Sequence, residues 1–159
     1  MKPPKYSPIK VRITTALLLV LIALIVAVPV LANSSSWSFF LPDNAYAVDG
    51  KANGRIHTMT AGTLTFSGSF YVSRVIPAAG NPSPVKFTVY KLGSGLFDPD
   101  RVICSTTITP SKMVGSAYAK SFSKNCGTIA AGKYYIYILR TLSAADGYEL
   151  VGSGTLRTP

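Results

Sequence analysis

The sequence after residue 32 predicts an all-β fold, a single antiparallel β-sandwich of about eight short strands. No segment there keeps apolar residues at helical spacing over several turns. Apolar and polar residues instead alternate with a period of two, and Gly, Pro, Asn or Asp interrupts each run. Most runs have one polar and one apolar face, which favours a sandwich over a barrel.

Residues 1–32 are predicted to be a cleavable secretory signal peptide, which leaves residues 33–159 as the sandwich domain. The segment opens with basic residues and no acid, continues as an uncharged apolar run from Ala16, and closes with Val30-Leu31-Ala32. As a helix, that run would span only about 25 Å, against about 30 Å of hydrocarbon in a bilayer. An uncleaved membrane anchor remains the alternative. The opening basic residues are Lys2, Lys5, Lys10 and Arg12.

The predicted strands follow from the alternation, taken in chain order. Trp37, Phe39 and Leu41 alternate in the first strand with Ser36, Ser38 and Phe40. The strand at 134–139 is apolar on both faces, as a central strand would be. In the last strand, Gly152 and Gly154 indicate a bulge or bend. The eight predicted strands are 36–41, 55–59, 64–72, 85–90, 101–109, 114–122, 134–139 and 148–156.

The later strands resemble a known class of secreted domain. Residues 131–138 read AGKYYIYI, residues 147–154 read GYELVGSG, and residues 85–91 occupy the position of an inner strand. Together they resemble the sandwich domains of the bacterial pre-peptidase C-terminal type, which implies a secreted β-sandwich. Lys86 departs from that family, whose corresponding strand usually begins with acidic residues. No calcium site or peptidase association is therefore carried over.

The charge of the predicted domain favours an anionic partner. Twelve of the sixteen basic residues and all six acids follow Ala32, which gives residues 33–159 a formal charge of +6. This excess fits residence near anionic cell-wall polymers or acidic glycans, and the alternative is that it only confers solubility. Nucleic acid is not predicted as a partner, because the basic residues are scattered along the sequence and the chain is predicted to be exported from the cell. Membrane contact is predicted only through an uncleaved signal segment.

Cys104 and Cys126 are predicted to form a disulfide bond. They are the only two cysteines, and an exported chain meets an oxidising compartment. On the chain-entropy model, such a bond stabilises the domain by about 3 kcal/mol. A metal site is not predicted, because His57 is the only histidine that could accompany them.

The sequence offers little catalytic equipment, so neither enzymatic activity nor a cofactor is predicted. His57 is interpreted as a surface residue, and the sequence contains no Gly-x-Ser-x-Gly nucleophile turn for it to serve. Glu149 is the only glutamate. The segment Asp98-Pro99-Asp100 is interpreted as a proline turn, and whether its two carboxylates contribute to a calcium site is left open.

Two tyrosines in the strand at 134–139 are candidates for binding a ligand. Tyr135 and Tyr137 share one face of that strand, about 7 Å apart, while Tyr134, Ile136 and Ile138 share the other. If the second set is core, the tyrosine pair stands on the outer face, where it could stack on sugar rings or contact a protein. The alternative is that a neighbouring strand or the segment around Trp37 covers the pair.

The predicted function is that of a secreted or cell-surface, non-enzymatic binding or structural module. It would attach to anionic cell-envelope polymers or glycans, and the alternative is a protein-binding inhibitor or an immunity-type protein of the extracellular space. Lys120, Lys124 and Lys133 are expected to lie near each other. The cationic candidates for binding are Lys51, Arg55, Lys120, Lys124 and Lys133.

Overall fold

The computed structural model describes residues 32–77, 79–95, 97–142 and 146–159, which all belong to one unit, Ala32–Pro159. They form nine strands and one 3₁₀ turn, Ser116–Tyr118. The strands are β1 (Asn33–Leu41), β2 (Ala47–Asp49), β3 (His57–Met59), β4 (Gly62–Val75), β5 (Val85–Lys91), β6 (Arg101–Ile108), β7 (Lys120–Ile129), β8 (Gly132–Arg140) and β9 (Tyr148–Thr158).

The strands form two antiparallel sheets, which confirms the predicted β-sandwich. The four-stranded sheet has the order β1-β9-β4-β7. The five-stranded sheet has the order β2-β8-β5-β6, and β3 also pairs with β8, beyond the end of β2. Strand β8 is therefore central in its sheet, as its apolar residues on both faces predict.

Aromatic rings from both sheets fill the core. Phe70 of the four-stranded sheet lies 5.1 Å from Phe87 of the five-stranded sheet, measured between ring centroids. Trp37 packs against Phe66 at 5.6 Å and against Phe87 at 6.2 Å. These side chains occupy the inward positions that the period-two alternation predicts for β1, β4 and β5.

The predicted disulfide bond is confirmed. Cys104 in β6 is bonded to Cys126 in β7, with a Cα–Cα distance of 5.4 Å. Each strand is the edge of its own sheet, so the bond joins the two sheets along one open side of the sandwich.

One predicted strand is misplaced and another was not predicted. The alternation predicts a strand over residues 114–122, but the chain there forms the 3₁₀ turn, and β7 begins only at Lys120. Gly115, with φ 112°, interrupts the extended backbone before that turn. Strand β2 has only three residues and falls beside the turn at 50–54, so its alternation is too short to detect in the sequence.

The glycines of β9 do not mark the bulge that the sequence predicts. The pairing of β9 with β1 is continuous, with Trp37 opposite Gly154 and Phe39 opposite Gly152. A Cβ at Gly154 would lie 2.6 Å from the Trp37 ring, and one at Gly152 would lie 2.5 Å from the Phe39 ring. Gly152 and Gly154 therefore leave the space in which these two core rings pack directly against the backbone of β9.

A buried ion pair organises one end of the sandwich. Arg140, the last residue of β8, is fully buried, and its guanidinium donates to the carboxylate of Asp146. The same guanidinium donates to the carbonyls of Ala45 (3.0 Å), Pro42 (2.9 Å) and Tyr148. Nothing in the sequence around Arg140 or Asp146 marks either residue as buried.

The predicted signal peptide lies outside the described residues except for Ala32, so it stays a prediction. Within residues 32–77, 79–95, 97–142 and 146–159, no helix is long and apolar enough to cross a membrane.

Candidate ligand-binding face

Three tyrosines lie together on the outer face of the five-stranded sheet. Tyr134, Ile136 and Ile138 of β8 are buried between the sheets, so the alternate residues Tyr135 and Tyr137 point outwards, as predicted. Tyr90 of β5 pairs directly with Tyr135. The tyrosine face is defined here by Tyr90, Tyr135 and Tyr137.

The three rings are held in a fixed arrangement. Tyr90 stacks on Tyr135 with their centroids 5.1 Å apart and an interplanar angle of 7°. Tyr137 stands edge-on to Tyr90 at 6.4 Å and 88°. Offset stacking and edge-to-face contact are the two geometries that aromatic pairs prefer, so each ring limits the rotamers of its neighbour.

A carboxylate anchors the centre of the tyrosine face. The Tyr135 hydroxyl donates to Asp100 Oδ2 at 2.9 Å, and Lys51 Nζ donates to the same oxygen at 2.6 Å. The Gly93 N–H donates to Asp100 Oδ1 at 2.9 Å. These three hydrogen bonds lower the pKa of Asp100 to about 2, and the bond from Lys51 has the largest effect, followed by those from Gly93 and Tyr135. The Asp100 carboxylate is therefore ionised at neutral pH. Burial and the neighbouring carboxylate raise the pKa of Tyr135 above its usual value.

The three tyrosines differ in how much surface they offer. Tyr135 is 6% exposed, because Tyr90 covers one face of its ring and Lys51 Nζ lies 6.0 Å from its centroid. Tyr90 and Tyr137 are partly exposed. The described part of the chain provides no hydrogen-bond partner for their hydroxyls. Tyr135 is thus the support, and Tyr90 and Tyr137 present the accessible ring area.

The sequence left two elements that could cover Tyr135 and Tyr137, a neighbouring strand or the segment around Trp37, and only the strand lies against them. Trp37 lies in the core between the sheets and does not reach the outer face. The neighbouring strand does contribute, because Tyr90 of β5 lies against Tyr135. Sequence reasoning missed Tyr90 and Asp100 as members of the face. The alternation of β5 places Tyr90 on an outer face, but only the register between β5 and β8 brings it to Tyr135.

The predicted lysine cluster is not found. Lys133 is the second residue of β8 and lies on the same face as Tyr135, whereas Lys120 and Lys124 lie on β7, in the other sheet. Lys120 pairs with Phe70 and Lys124 with Phe66, so both lie on the sheet side that faces inward, exposed only because β7 is an edge strand. Strands β7 and β8 belong to different sheets and are not paired with each other. The spacing of these lysines along the sequence carried no information on the sheet in which each would lie.

Lys51 and Arg55 come from the same turn but face different sites. Lys51 reaches the tyrosine face, where it pairs with Asp100. The Arg55 guanidinium donates to the carbonyl and, at 3.0 Å, to the hydroxyl of Ser38 in β1. It lines a cleft of about 560 Å³ along β1, together with Ser35, Trp37 and His57.

The prediction that His57 is a surface residue is wrong. His57 is 6% exposed, because it lies on the inward face of β3 with Met59, and its Nδ1 is 2.7 Å from Ser35 Oγ. Burial, and secondarily the charge of Arg55, lower the pKa of His57. Among the described residues no carboxylate is bonded to His57. The Ser35–His57 contact joins β1 of one sheet to β3 of the other.

The two carboxylates of the Asp98-Pro99-Asp100 turn have separate partners. Asp98 Oδ2 accepts from the backbone N–H and the hydroxyl of Ser94, at 3.2 and 3.1 Å, and these bonds lower its pKa. Its other oxygen accepts from Arg101 at 3.2 Å. Across the described ranges, no three His, Cys, Asp or Glu side chains are grouped as metal ligands would be.

Neither a protein-family model nor a curated protein matches the sequence. Among solved structures, the chain is similar to the carbohydrate-binding module TmCBM61 in complex with β-1,4-galactotriose (12% identity, TM-score 0.40), covering 77% of this chain and 63% of that one. It is also similar to a carbohydrate-binding module of Cellvibrio mixtus lichenase 5A in complex with cellotriose (10% identity, TM-score 0.41; 80% and 89% covered). A third is PliG of Aeromonas hydrophila, a periplasmic inhibitor of g-type lysozyme (16% identity, TM-score 0.35; 80% and 84% covered). The chain spans less than two thirds of the first of these, and all three TM-scores are too low to carry a functional argument.

Proposed function

We propose that this domain is a non-catalytic module that binds glycans, and that the tyrosine face is its binding surface. The observation that carries the proposal is the stack of Tyr90 on Tyr135 with Tyr137 edge-on beside it, on the outer face of a sheet. An outer sheet face usually bears polar side chains, so partly exposed rings there call for a partner. Aromatic rings with hydroxyl groups suit sugars, because the ring contacts C–H groups while the hydroxyl forms hydrogen bonds.

The rigidity of the face supports binding. Tyr135 is fixed by its hydrogen bond to Asp100 and by the ring of Tyr90. Side chains that are already ordered lose little conformational entropy when a ligand arrives, so more of the contact energy remains as affinity.

The proposed setting is the cell surface or the extracellular space. The Cys104–Cys126 bond supports this setting, because disulfide bonds persist in oxidising compartments. The predicted signal peptide at 1–32 would provide the export.

Binding to immobilised polysaccharides tests the proposal. The panel contains peptidoglycan, teichoic-acid-bearing cell wall, polygalacturonate and methyl-esterified polygalacturonate, and the purified full chain is measured against each. We expect binding to at least one of them. Tyr137→Ala should weaken that binding about twofold to tenfold, since an aromatic contact contributes about 0.5–1.5 kcal/mol.

Tyr71→Ala is the matched control. Tyr71 is a partly exposed tyrosine on the outer face of the other sheet, where it pairs with Val151. Its replacement should leave binding unchanged, and equal unfolding midpoints would show that both variants are folded. Loss of binding in both variants would contradict the tyrosine face as the site. No binding to any member of the panel would overturn the glycan function and favour a protein partner.

A further inference from the structure

We propose that the glycan bound at the tyrosine face is acidic, and that Lys86 and Lys133 bind its charged groups at the two ends of that face. This inference rests on the proposed function and names the class of glycan. Lys86 was not a candidate on sequence grounds, and the register of the sheet is what brings it to the face.

The two lysines flank the tyrosines along the strand direction. On β8, Lys133 precedes Tyr135 and Tyr137 on the same face. On the adjacent β5, Lys86 pairs with Leu139, which is the next outward residue after Tyr137. The two lysine Cα atoms are therefore about 20 Å apart at the rise of an antiparallel strand, with the three rings between them. A span of this size fits an oligosaccharide or polymer rather than a single sugar.

The acids on this face are already engaged, and the two lysines are not. Asp100 is bonded to Lys51 and Tyr135. Asp49, which pairs with Tyr137 in the sheet, accepts the backbone N–H groups of Lys51 and Ala52 at 2.8 and 3.3 Å. Within the described residues, neither Lys86 nor Lys133 forms an ion pair, and both are exposed.

This arrangement favours a chain that carries repeated negative charges. One exposed lysine contributes little to binding, because water and salt screen its charge. Two lysines that contact the same chain act together, because the first contact raises the effective concentration of the second acidic group. The tyrosines between them would hold the intervening sugar rings.

Polygalacturonate and its methyl ester form a matched pair of probes, since they share a backbone and differ in charge. We expect the full chain to bind polygalacturonate about tenfold more tightly than the ester at low salt, and the difference to shrink as salt rises. The double variant Lys86→Gln/Lys133→Gln should bind the acid about as weakly as the ester. Galacturonic acid monomer should compete poorly, and oligomers long enough to span about 20 Å should compete well.

Lys120→Gln/Lys124→Gln is the charge-matched control, because it removes the same two charges from the other sheet. It should keep most of the preference for the acid. Equal affinity for acid and ester, or equal loss in both double variants, would overturn the inference. If Tyr137→Ala still weakens binding to the ester in that case, the proposed glycan function stands without it. If neither polymer binds, the acidic-glycan inference fails.

Discussion

At the scale of single residues, His57 shows how one buried polar group joins the two sheets. Its ring lies between β3 and β1, with Nδ1 bonded to Ser35 Oγ, and Arg55 adds a nearby positive charge. Both burial and that charge disfavour protonation, so the pKa of His57 is lowered from 6.5. The histidine is therefore neutral in the folded protein at pH 7.

This lowered pKa predicts a dependence of stability on pH. In the unfolded chain His57 takes up a proton near pH 6.5, whereas in the folded chain it does so only at lower pH. The contribution of the neutral histidine is thus complete above about pH 6.5 and is lost as the pH falls through the folded-state pKa. We expect the free energy of unfolding to fall between pH 7 and pH 5.

Urea unfolding at several pH values checks this, with Trp37, the only tryptophan, as a fluorescent reporter. His57→Gln should show a flatter pH profile over the same range. Asp98 and Asp100 do not interfere there, because their lowered pKa values place their effects below about pH 4. Parallel profiles for the two proteins would contradict the assignment to His57.

The sequence predicted outward tyrosines correctly and the position of His57 incorrectly, for one physical reason. Tyr135 and Tyr137 lie in a nine-residue strand where they alternate with Tyr134, Ile136 and Ile138, so the two tyrosines face outwards if the other set is core. Strand β3 has only three residues, and its burial depends on β1 packing against it from the other sheet. Alternation along one strand does not reveal contacts between sheets, nor the register that joins Tyr90 to Tyr135.

At the scale of elements, two glycines on neighbouring strands accommodate the largest core ring, that of Trp37. Gly154 of β9 pairs with Trp37 of β1 on one side and with Gly68 of β4 on the other. A Cβ at Gly68 would lie 2.4 Å from the Trp37 ring, and one at Gly154 would lie 2.0 Å from the carbonyl oxygen of Ser67. The indole therefore lies across two strands at positions where any side chain would displace it. Gly152 plays the same part for Phe39.

Gly154→Ala should destabilise the domain by about 1–3 kcal/mol, because the new methyl group meets backbone that cannot move away. Gly80→Ala is the matched control, since a Cβ there has no neighbour within 4 Å. It should change the free energy of unfolding by less than about 0.5 kcal/mol. Denaturant titration of the three proteins measures both values. Similar stabilities for the two variants would mean that β9 relaxes around the added carbon.

At the scale of the whole molecule, three interactions at the edges of the sandwich hold its parts together. The Cys104–Cys126 bond joins β6 to β7 on one side, and the Ser35–His57 contact joins β1 to β3 on the other. At one end, the Arg140 guanidinium and the Asp146 carboxylate connect β8 to the segments before β2, β5 and β9. Ser83 and Tyr148 complete this group by donating their N–H groups to Asp146, at 2.8 and 3.0 Å.

The sequence predicted the disulfide bond but neither the Ser35–His57 contact nor the Arg140–Asp146 pair. Cys104 and Cys126 are the only cysteines of the sequence, so within one chain each can form a disulfide bond only with the other. In contrast, Arg140 is one of twelve basic residues after Ala32, and nothing in its neighbours marks it as fully buried. Its burial follows from the convergence of β1, β8 and β9, and sequence patterns do not report such long-range convergence.

The buried pair gives the last prediction. Asp146→Asn removes one charge and leaves Arg140 buried without its partner, which should lower the free energy of unfolding by about 3–5 kcal/mol. Glu149→Gln is the matched control, because it breaks the Arg74–Glu149 pair, in which the arginine side chain is 63% exposed. That exposed pair should contribute less than about 1 kcal/mol. Both variants are compared by urea unfolding at pH 7. Equal losses in the free energy of unfolding would contradict this prediction. They would show that the carbonyls of Ala45, Pro42 and Tyr148 are enough to compensate the buried charge of Arg140.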